Sequence, residues 1–426
     1  MNKLLTGIDA GNISTKVSFL NTKGNIESFA IPTVIAPAPA SAVAYNNQVD
    51  KREDVQIEDY LHIRVNSSAM DKDDNNRAWY VGESANKSTD KMQPSIDENG
   101  DAEDKFSDKN REVFVLPVLA GIAVSALKSD KTHVVAPLSI GIPSKSYLKY
   151  EQTLKQRFIG KHLITFIDGQ FTDQTVTIEI HEDDAQIHAE SVTTAMALMY
   201  DIKDGDLMET ELSQKLEGKT YTVADLGAGT SDYAVFTENE LDKVMTRRFA
   251  EENEGELSRV GTNTYIEDII EAIYNDPAFD RNRELVERSK EPEKVRPAEL
   301  TSREIFMKKI IKPVVEEALL SGKKPNFEYT WARAKNVPIT KYIVDEMEKY
   351  AEKQMNNIET AWITANTDCI IAVGGGVLFG YFGGLSKLQD DEVIIPDLLE
   401  SQYFTSKAYL IVNFLMNMQS QDLVSQ

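Results

Sequence analysis

Residues 223–235 read Val-Ala-Asp-Leu-Gly-Ala-Gly-Thr-Ser-Asp-Tyr-Ala-Val, an apolar run, a glycine-rich turn between Asp225 and Asp232, and a second apolar run. Residues 5–19, Leu-Thr-Gly-Ile-Asp-Ala-Gly-Asn-Ile-Ser-Thr-Lys-Val-Ser-Phe, repeat the design with Asp9, Gly11, Ser14, Thr15 and Lys16. Glycine brings backbone N–H groups close to an anion with no Cβ in the way. An aspartate ending the preceding strand is placed to hold a hydrated cation beside that anion. One such turn is ordinary hairpin punctuation. Two copies far apart in one chain predict two related halves that face a shared ligand.

A third glycine cluster follows in Asp368-Cys-Ile-Ile-Ala-Val-Gly-Gly-Gly-Val-Leu-Phe379. A buried strand over 369–373 runs into Gly374, Gly375 and Gly376 and then, from Val377, a helix-like segment. Such glycines let the backbone lie flat against a base or sugar, and the helix start that follows is positive. Alone, the cluster reads equally well as a flexible strand-to-helix joint. With both hairpins upstream, a nucleotide site is the favoured reading.

Charge and composition exclude several partners. The 426 residues carry a formal net charge of −23, so phosphate backbones are repelled and no direct contact with nucleic acid is expected. Cys369 is the single cysteine; it sits in an apolar strand, and no disulfide framework is possible. The N-terminus reaches Asp9 too soon to supply a secretory stretch. The most apolar run, Val113–Leu127, is 15 residues with Pro117 inside, short for a membrane span; it reads as a strand or loop entering a buried helix. A soluble cytoplasmic protein is expected.

Between the motifs, strands are expected at 26–30, 79–85, 133–143, 163–167 and 175–181, and helices at 145–158, 190–200, 265–274, 305–320 and 340–365. Residues 45–76 and 86–111 are polar and acidic with no apolar period, which predicts solvated surface excursions. The charge-dense stretch 279–304, broken by Pro292 and Pro297, reads as an exposed loop and helix.

The order of these motifs resembles the actin, Hsp70 and sugar-kinase superfamily. Asp9–Lys16 is similar to its first phosphate loop, Asp225–Asp232 to its second, and Val373–Gly376 to its adenosine motif. Ile178–Glu182 followed by Ser191–Tyr200 is similar to the first connecting region, and Ser401–Ile411 to the second, with Ala408 as the small residue at the crossing. Within the superfamily the chain resembles the plasmid-segregating bacterial actins of the ParM type, through Trp79–Ala85, Asp225–Asp232 and the Ser401-Gln402-Tyr403 tail. The resemblance implies an α/β, actin-like (ribonuclease H-like) two-domain ATPase with a central nucleotide cleft and two smaller inserted lobes. Domain I would span 1–190 with 400–426 returning to it, and domain II 191–399.

The same resemblance implies the site. Asp9 and Asp225 would hold Mg²⁺ through its waters, since that ion keeps part of its hydration shell. Gly11, Asn12, Ser14 and Thr15, with Gly227, Ala228, Gly229 and Thr230, would surround the phosphates, and Lys16 would neutralise their charge. Gly261, ahead of a Thr/Asn helix cap, would lie near the same phosphates. Gly374, Gly375, Gly376 and Val377 would meet the nucleoside, as would Lys308. Glu182 is the expected positioner of the attacking water, with Gln186 and Glu190 as substitutes, because His181 replaces the usual proline before the acid. His181 and His188 show no third ligand at metal-binding spacing.

Three functions compete. A filament-forming ATPase (or GTPase) would close on nucleotide, polymerise with itself and act on plasmid DNA through a small basic DNA-binding adaptor at a centromere-like site. A small-molecule, sugar-type kinase is the alternative, but no acceptor-activating aspartate stands out. An Hsp70-like chaperone would need a peptide-binding domain for which the chain is too short. The filament is the preferred reading.

Overall fold

Leu4 and Thr6–Ala10 are buried almost throughout, and around this run the first sheet is built. The computed structural model describes residues 3–41, 56–94, 106–108, 111–142, 144–189, 193–238, 240–252, 260–390 and 392–424. The chain divides into two compact units, Met1–Glu217 with Tyr403–Gln426, and Gly218–Gln402.

In the first unit, β1 (Thr6–Ala10), β2 (Ser14–Leu20) and β3 (Ile26–Pro32) form an antiparallel meander. β4 (Ile35–Pro37), β5 (Leu61–Ser67), β6 (Ala78–Val81) and β7 (His133–Val135) follow. Next come β8 (Leu138–Ile142), β9 (Gly160–Phe166), β10 (Thr175–Ile180) and β11 (Ala185–Ala189). One five-stranded sheet has the order β11-β8-β1-β2-β3, and a six-stranded sheet the order β4-β6-β5-β9-β10-β7. β1, β8 and β11 run parallel. A hairpin of β12 (Tyr200–Lys203) and β13 (Asp206–Glu209) follows.

The helix Arg111–Lys128 is continuous through Pro117, where a strand or loop was expected at its start. Residues Val113–Leu127 are all buried. Apolar burial here outweighs the backbone bond that a proline removes. The expected excursion over 45–76 is also corrected, because β5 is a central strand whose Leu61, Ile63 and Val65 are fully buried. Residues 45–55, 95–105 and 109–110 lie outside those described. The strand expected over 79–85 stops at Val81, where Gly82 takes a φ of +66° and one helical turn, Glu83–Asn86, follows. The apolar stretch 133–143 is split into β7 and β8, which belong to different sheets.

The C-terminal helix Phe404–Val424 packs on β1, β2 and β8 of the first unit. Ala408 is buried, but the close approach is made by Gly7: a Cβ there would run into the backbone of Ser406 and Leu410. Asn413 seals the contact by donating to the Thr6 and Pro137 carbonyls at 2.9 and 2.8 Å. The first unit extends past the expected boundary at 190 because helix Ala195–Met199 packs on this same C-terminal helix and β12 touches β3.

In the second unit, β14 (Tyr221–Leu226), β15 (Ser231–Thr237) and β16 (Glu240–Leu241) form a second meander. β17 (Glu328–Trp331) and β18 (Ala334–Pro338) make a hairpin, followed by β19 (Cys369–Val373) and β20 (Val393–Ile394). The five-stranded order is β16-β15-β14-β19-β20, the pattern of the first unit again. Helices Asn263–Tyr274 and Thr340–Ala365 pack against each other. Between Phe306 and Lys312 the backbone widens into a π turn, Met307–Ile311, closed by Lys312 N–H on the Met307 carbonyl. Pro313 follows, and the wider turn spares the Lys309 carbonyl a clash with its ring. Among the described residues no helix is long and apolar enough to cross a membrane.

Candidate functional site

In the first unit the antiparallel register sets Asp9 directly opposite Lys16. Their side chains pair at 2.8 Å, with Asp9 mostly buried. The turn between them is pinned from β3's end: Thr33 donates through its hydroxyl to the Gly11 carbonyl at 2.9 Å and through its N–H to the Ile13 carbonyl at 2.8 Å. A Cβ on Gly11 would come within 2.7 Å of the Ser14 carbonyl. Side chains alternate along a strand, so Ser14 and Lys16 share one face and Thr15 takes the other. Thr15 is buried and its hydroxyl meets that of Thr33 at 3.2 Å. The side-chain donor expected at Thr15 is thus spent inside the protein, whereas Gly11, Asn12 and Ser14 are partly exposed on the turn.

In the second unit Asp225 stands opposite Asp232, and Leu226 opposite Ser231. Gly227 N–H donates to the Thr230 carbonyl at 2.8 Å, closing a tight turn over Ala228 and Gly229. Thr230 Oγ1 donates to Asp232 at 3.1 Å. The Val260–Asn263 segment backs onto this turn. Asn263 N–H donates to the Ala228 carbonyl at 3.0 Å, and a Cβ on Gly261 would collide with Ala228 and Gly229. Gly261 therefore lies against the turn.

β19 runs parallel to β14 with Val373 beside Asp225. Gly374 has φ +96°, and a Cβ there would sit 2.5 Å from Asp225 Oδ1. Gly376 lies against the Tyr350 hydroxyl. Each of these two glycines is required by the protein's own packing. Gly375, at the start of the helix Gly375–Gly380, differs: apart from its chain neighbours and its own helix backbone, nothing among the described residues lies within 4 Å of where its Cβ would be. The Val377 side chain is fully buried in the core, so only its backbone could serve a ligand. Lys308 is half-buried in the π turn.

Glu182 lies away from Asp9 in the first unit. It lies exposed in a helical turn, Glu182–Asp184, that precedes β11, next to Asp184, which pairs with Lys3 at 3.3 Å. β11 is parallel to β8 and β1, and the register aligns Asp9 with Gly141 and Gly141 with His188. Asp9 therefore lies at the edge where β11 ends and Glu182 at the edge where it begins, separated by a strand of roughly 13 Å at about 3.3 Å per residue. Gln186 also sits near the wrong edge, opposite Ser139. Glu190, the next residue after β11 in sequence, lies outside those described. The signal that distinguishes them is the alternation Ala185-Gln-Ile-His-Ala189, with Ala185 and Ile187 buried.

His188 is no metal ligand. Its ring stacks on Tyr409 at 5.3 Å and Nε2 lies 2.8 Å from Ser139 Oγ. Ser139 donates to the Tyr409 carbonyl at 2.9 Å, so it accepts from Nε2–H. Burial pushes the imidazole down to about 4. Among the described residues no group of three or more His, Cys, Asp or Glu is arranged to hold a metal by itself. A cation that keeps its hydration shell needs no such group, and Asp9 in the first unit and Asp225 in the second each offer a carboxylate of the kind that binds one through water.

Residues 7–192 match the family described as actin-like proteins, N-terminal domain. The chain is similar to Bacillus thuringiensis ParM solved with ATP, at 36% identity over 98% of this chain and 100% of that one, with a TM-score of 0.76. The same protein solved with AMPPNP gives 35% identity, the same coverage and a TM-score of 0.74. The actin-like protein Alp7A shares the fold, at 14% identity, 99% and 98% coverage and a TM-score of 0.61. No curated protein sequence matches the chain.

Proposed function

The chain belongs to the ParM-type actin-like proteins, and on that premise we propose that it is an ATPase that polymerises on binding nucleotide and Mg²⁺. Its filaments act in the cytoplasm to segregate plasmid DNA, through a small basic DNA-binding adaptor on a centromere-like site. The observation that carries the nucleotide reading is Gly375. Its neighbours Gly374 and Gly376 are explained by contacts inside the protein, and Gly375 by none among the described residues. A ligand passing close over the helix start accounts for it.

The residues take the following roles. Backbone N–H groups of the Gly11–Ser14 turn and of Ala228–Thr230 donate to phosphate oxygens, with Gly227 closing the second turn, and Lys16 neutralises their charge. Asp9 and Asp225 hold the waters of Mg²⁺, which when bound would draw charge from the phosphate oxygens. Gly261 supports the second turn, Gly374–Val377 supply backbone to the nucleoside, and Lys308 approaches it from the π turn. Glu190 orients the attacking water, in place of Glu182, because it is the next residue in sequence after Ala189, and the neighbouring His188 is level with Gly141 and Asp9 in the sheet.

Sedimentation with ATP and Mg²⁺ tests the proposal. The wild-type chain should pellet and release phosphate with no acceptor present. Asp225→Ala should lose about 10²-fold or more in hydrolysis, in line with other electrostatic deletions. Phosphate transfer only when a small hydroxylated acceptor is added would replace this reading with a kinase. Competition by GTP at equal concentration would widen the nucleotide class.

A further inference from the structure

We infer that Gln354 and Tyr350, one turn apart on the helix Thr340–Ala365, are positioning residues that lock the glycine motifs of the second unit to one another. The inference deepens the nucleotide reading above and rests on it. Gln354 is completely buried. Its Nε2 donates to Ser231 Oγ at 3.0 Å and to the Val260 carbonyl at 2.5 Å. Ser231 Oγ in turn donates to the same Val260 carbonyl at 3.0 Å. The three groups form a closed triangle in which every proton has an acceptor.

The place of that triangle in the chain gives it meaning. Ser231 directly follows Thr230, the end of the phosphate turn, and Val260 directly precedes Gly261, which lies against Ala228 and Gly229. One amide thus clamps both segments from below. Four residues earlier, on the same helix face, Tyr350 is fully buried and its hydroxyl lies where Gly376 would carry a Cβ. Leu226, which precedes the phosphate turn, borders the same glycine: a Cβ on Gly376 would come within 2.9 Å of its carbonyl. The phosphate turn, the Gly261 segment and the nucleoside glycines therefore rest on two side chains of one helix. A phenol buried so deeply is pushed well above its ordinary range and stays uncharged, adding no charge beneath Asp225.

The geometry demands a neutral group with two N–H donors at position 354. Methionine keeps its length and supplies none. Glutamate would turn an oxygen toward two oxygens, an uncompensated repulsion in a buried place. A residue that merely fills space would tolerate methionine.

The test uses the full chain and Mg²⁺–ADP as probe, which separates binding from hydrolysis. By calorimetry Gln354→Met should bind ADP about tenfold more weakly, the scale of losing buried hydrogen bonds, with native circular dichroism. Gln354→Glu should bind more weakly still. Wild-type affinity in Gln354→Met overturns the inference. Should that variant fail to fold, Ser231→Ala opens the triangle from the other side; it should weaken ADP binding several-fold, and no change in it overturns the inference equally. Hydrogen exchange without nucleotide is an independent readout. In Gln354→Met, amides over 227–230 and 260–263 should exchange faster together, and unchanged exchange in both segments refutes the clamp. If the wild-type chain binds no ADP, the nucleotide reading fails, and the exchange result alone still decides whether the clamp exists.

Discussion

The sheets of β1 and β14 share one frame and differ in what they place on it. Each has a meander of three strands, two further parallel strands, and an aspartate near the end of the central strand. In the first unit that aspartate faces a lysine across the ladder; in the second Asp225 faces Asp232. Like charges directly opposite on a sheet destabilise by a few tenths to about 1 kcal/mol, and Thr230 Oγ1 softens this by donating to Asp232. Two residues before the aspartate stands Gly7 in one sheet and Val223 in the other. Gly7 admits the backbone of the C-terminal helix, whereas Val223 is a fully buried side chain. The outermost parallel strand leads to Glu190 in the first unit, but to Ile395 and Pro396 in the second. A repeated frame can therefore carry unequal chemistry, with an ammonium facing the aspartate in one sheet and a second carboxylate facing it in the other.

The largest expected effect tests the residue that follows the outermost parallel strand in sequence, Glu190 in the first unit against Ile395 in the second. Glu190→Ala should slow ATP hydrolysis by about 10²-fold, with nucleotide affinity nearly unchanged, because water positioning acts on the transition state. Glu182→Ala should leave the rate as it is, since that side chain lies exposed at the opposite edge. The reverse pattern of phosphate-release rates would dismiss the alignment of β11 with β1.

The second effect sets Gly7 against Val223. Gly7→Ala drives a methyl into helix backbone that cannot yield cheaply and should cost about 3 kcal/mol. Val223→Ala only leaves a small cavity and should cost about 2 kcal/mol. Denaturant titration of each variant reads both values. Equal or inverted costs would mean that the helix contact at Gly7 is looser than the structure shows.

The smallest effect is a pH dependence belonging to the first unit. The imidazole of His188, held at about 4 in the fold against an ordinary 6.5, binds fewer protons folded than unfolded between those values. Its contribution is therefore complete above pH 6.5 and is lost as pH falls toward 4. Going from pH 6.5 to 5.5 should cost about 1 kcal/mol at this one group. His188→Gln should remove that increment from the pH profile of thermal unfolding, and an identical profile in the variant would show that other groups carry it.

The hairpins at Asp9–Lys16 and Asp225–Asp232 and the strand that runs into Gly374 were legible in local pattern, because a strand that ends in a glycine turn is a short-range event. The actin-like fold followed from the order of three such events. Strand β5 was readable but hidden: Leu61, Ile63 and Val65 alternate with His62 and Arg64 inside an acidic stretch, and the overall polarity masks the period.

What only the tertiary structure decided is which edge each residue occupies and what its atoms are spent on. Glu182 and Glu190 both adjoin strands of the first unit, and composition cannot say that β11 rather than β10 lies beside β8 and β1. Parallel pairing joins strands remote in sequence, so its register is set by the packing of whole sheets. Thr15 looks like a phosphate donor until Thr33 takes its hydroxyl, and Gln354 looks like any polar residue of a long amphipathic helix until Ser231 and Val260 close on it. Hydrogen bonds of that kind are fixed over a few ångströms in space and over tens of positions in the chain, a distance across which residue spacing carries no information.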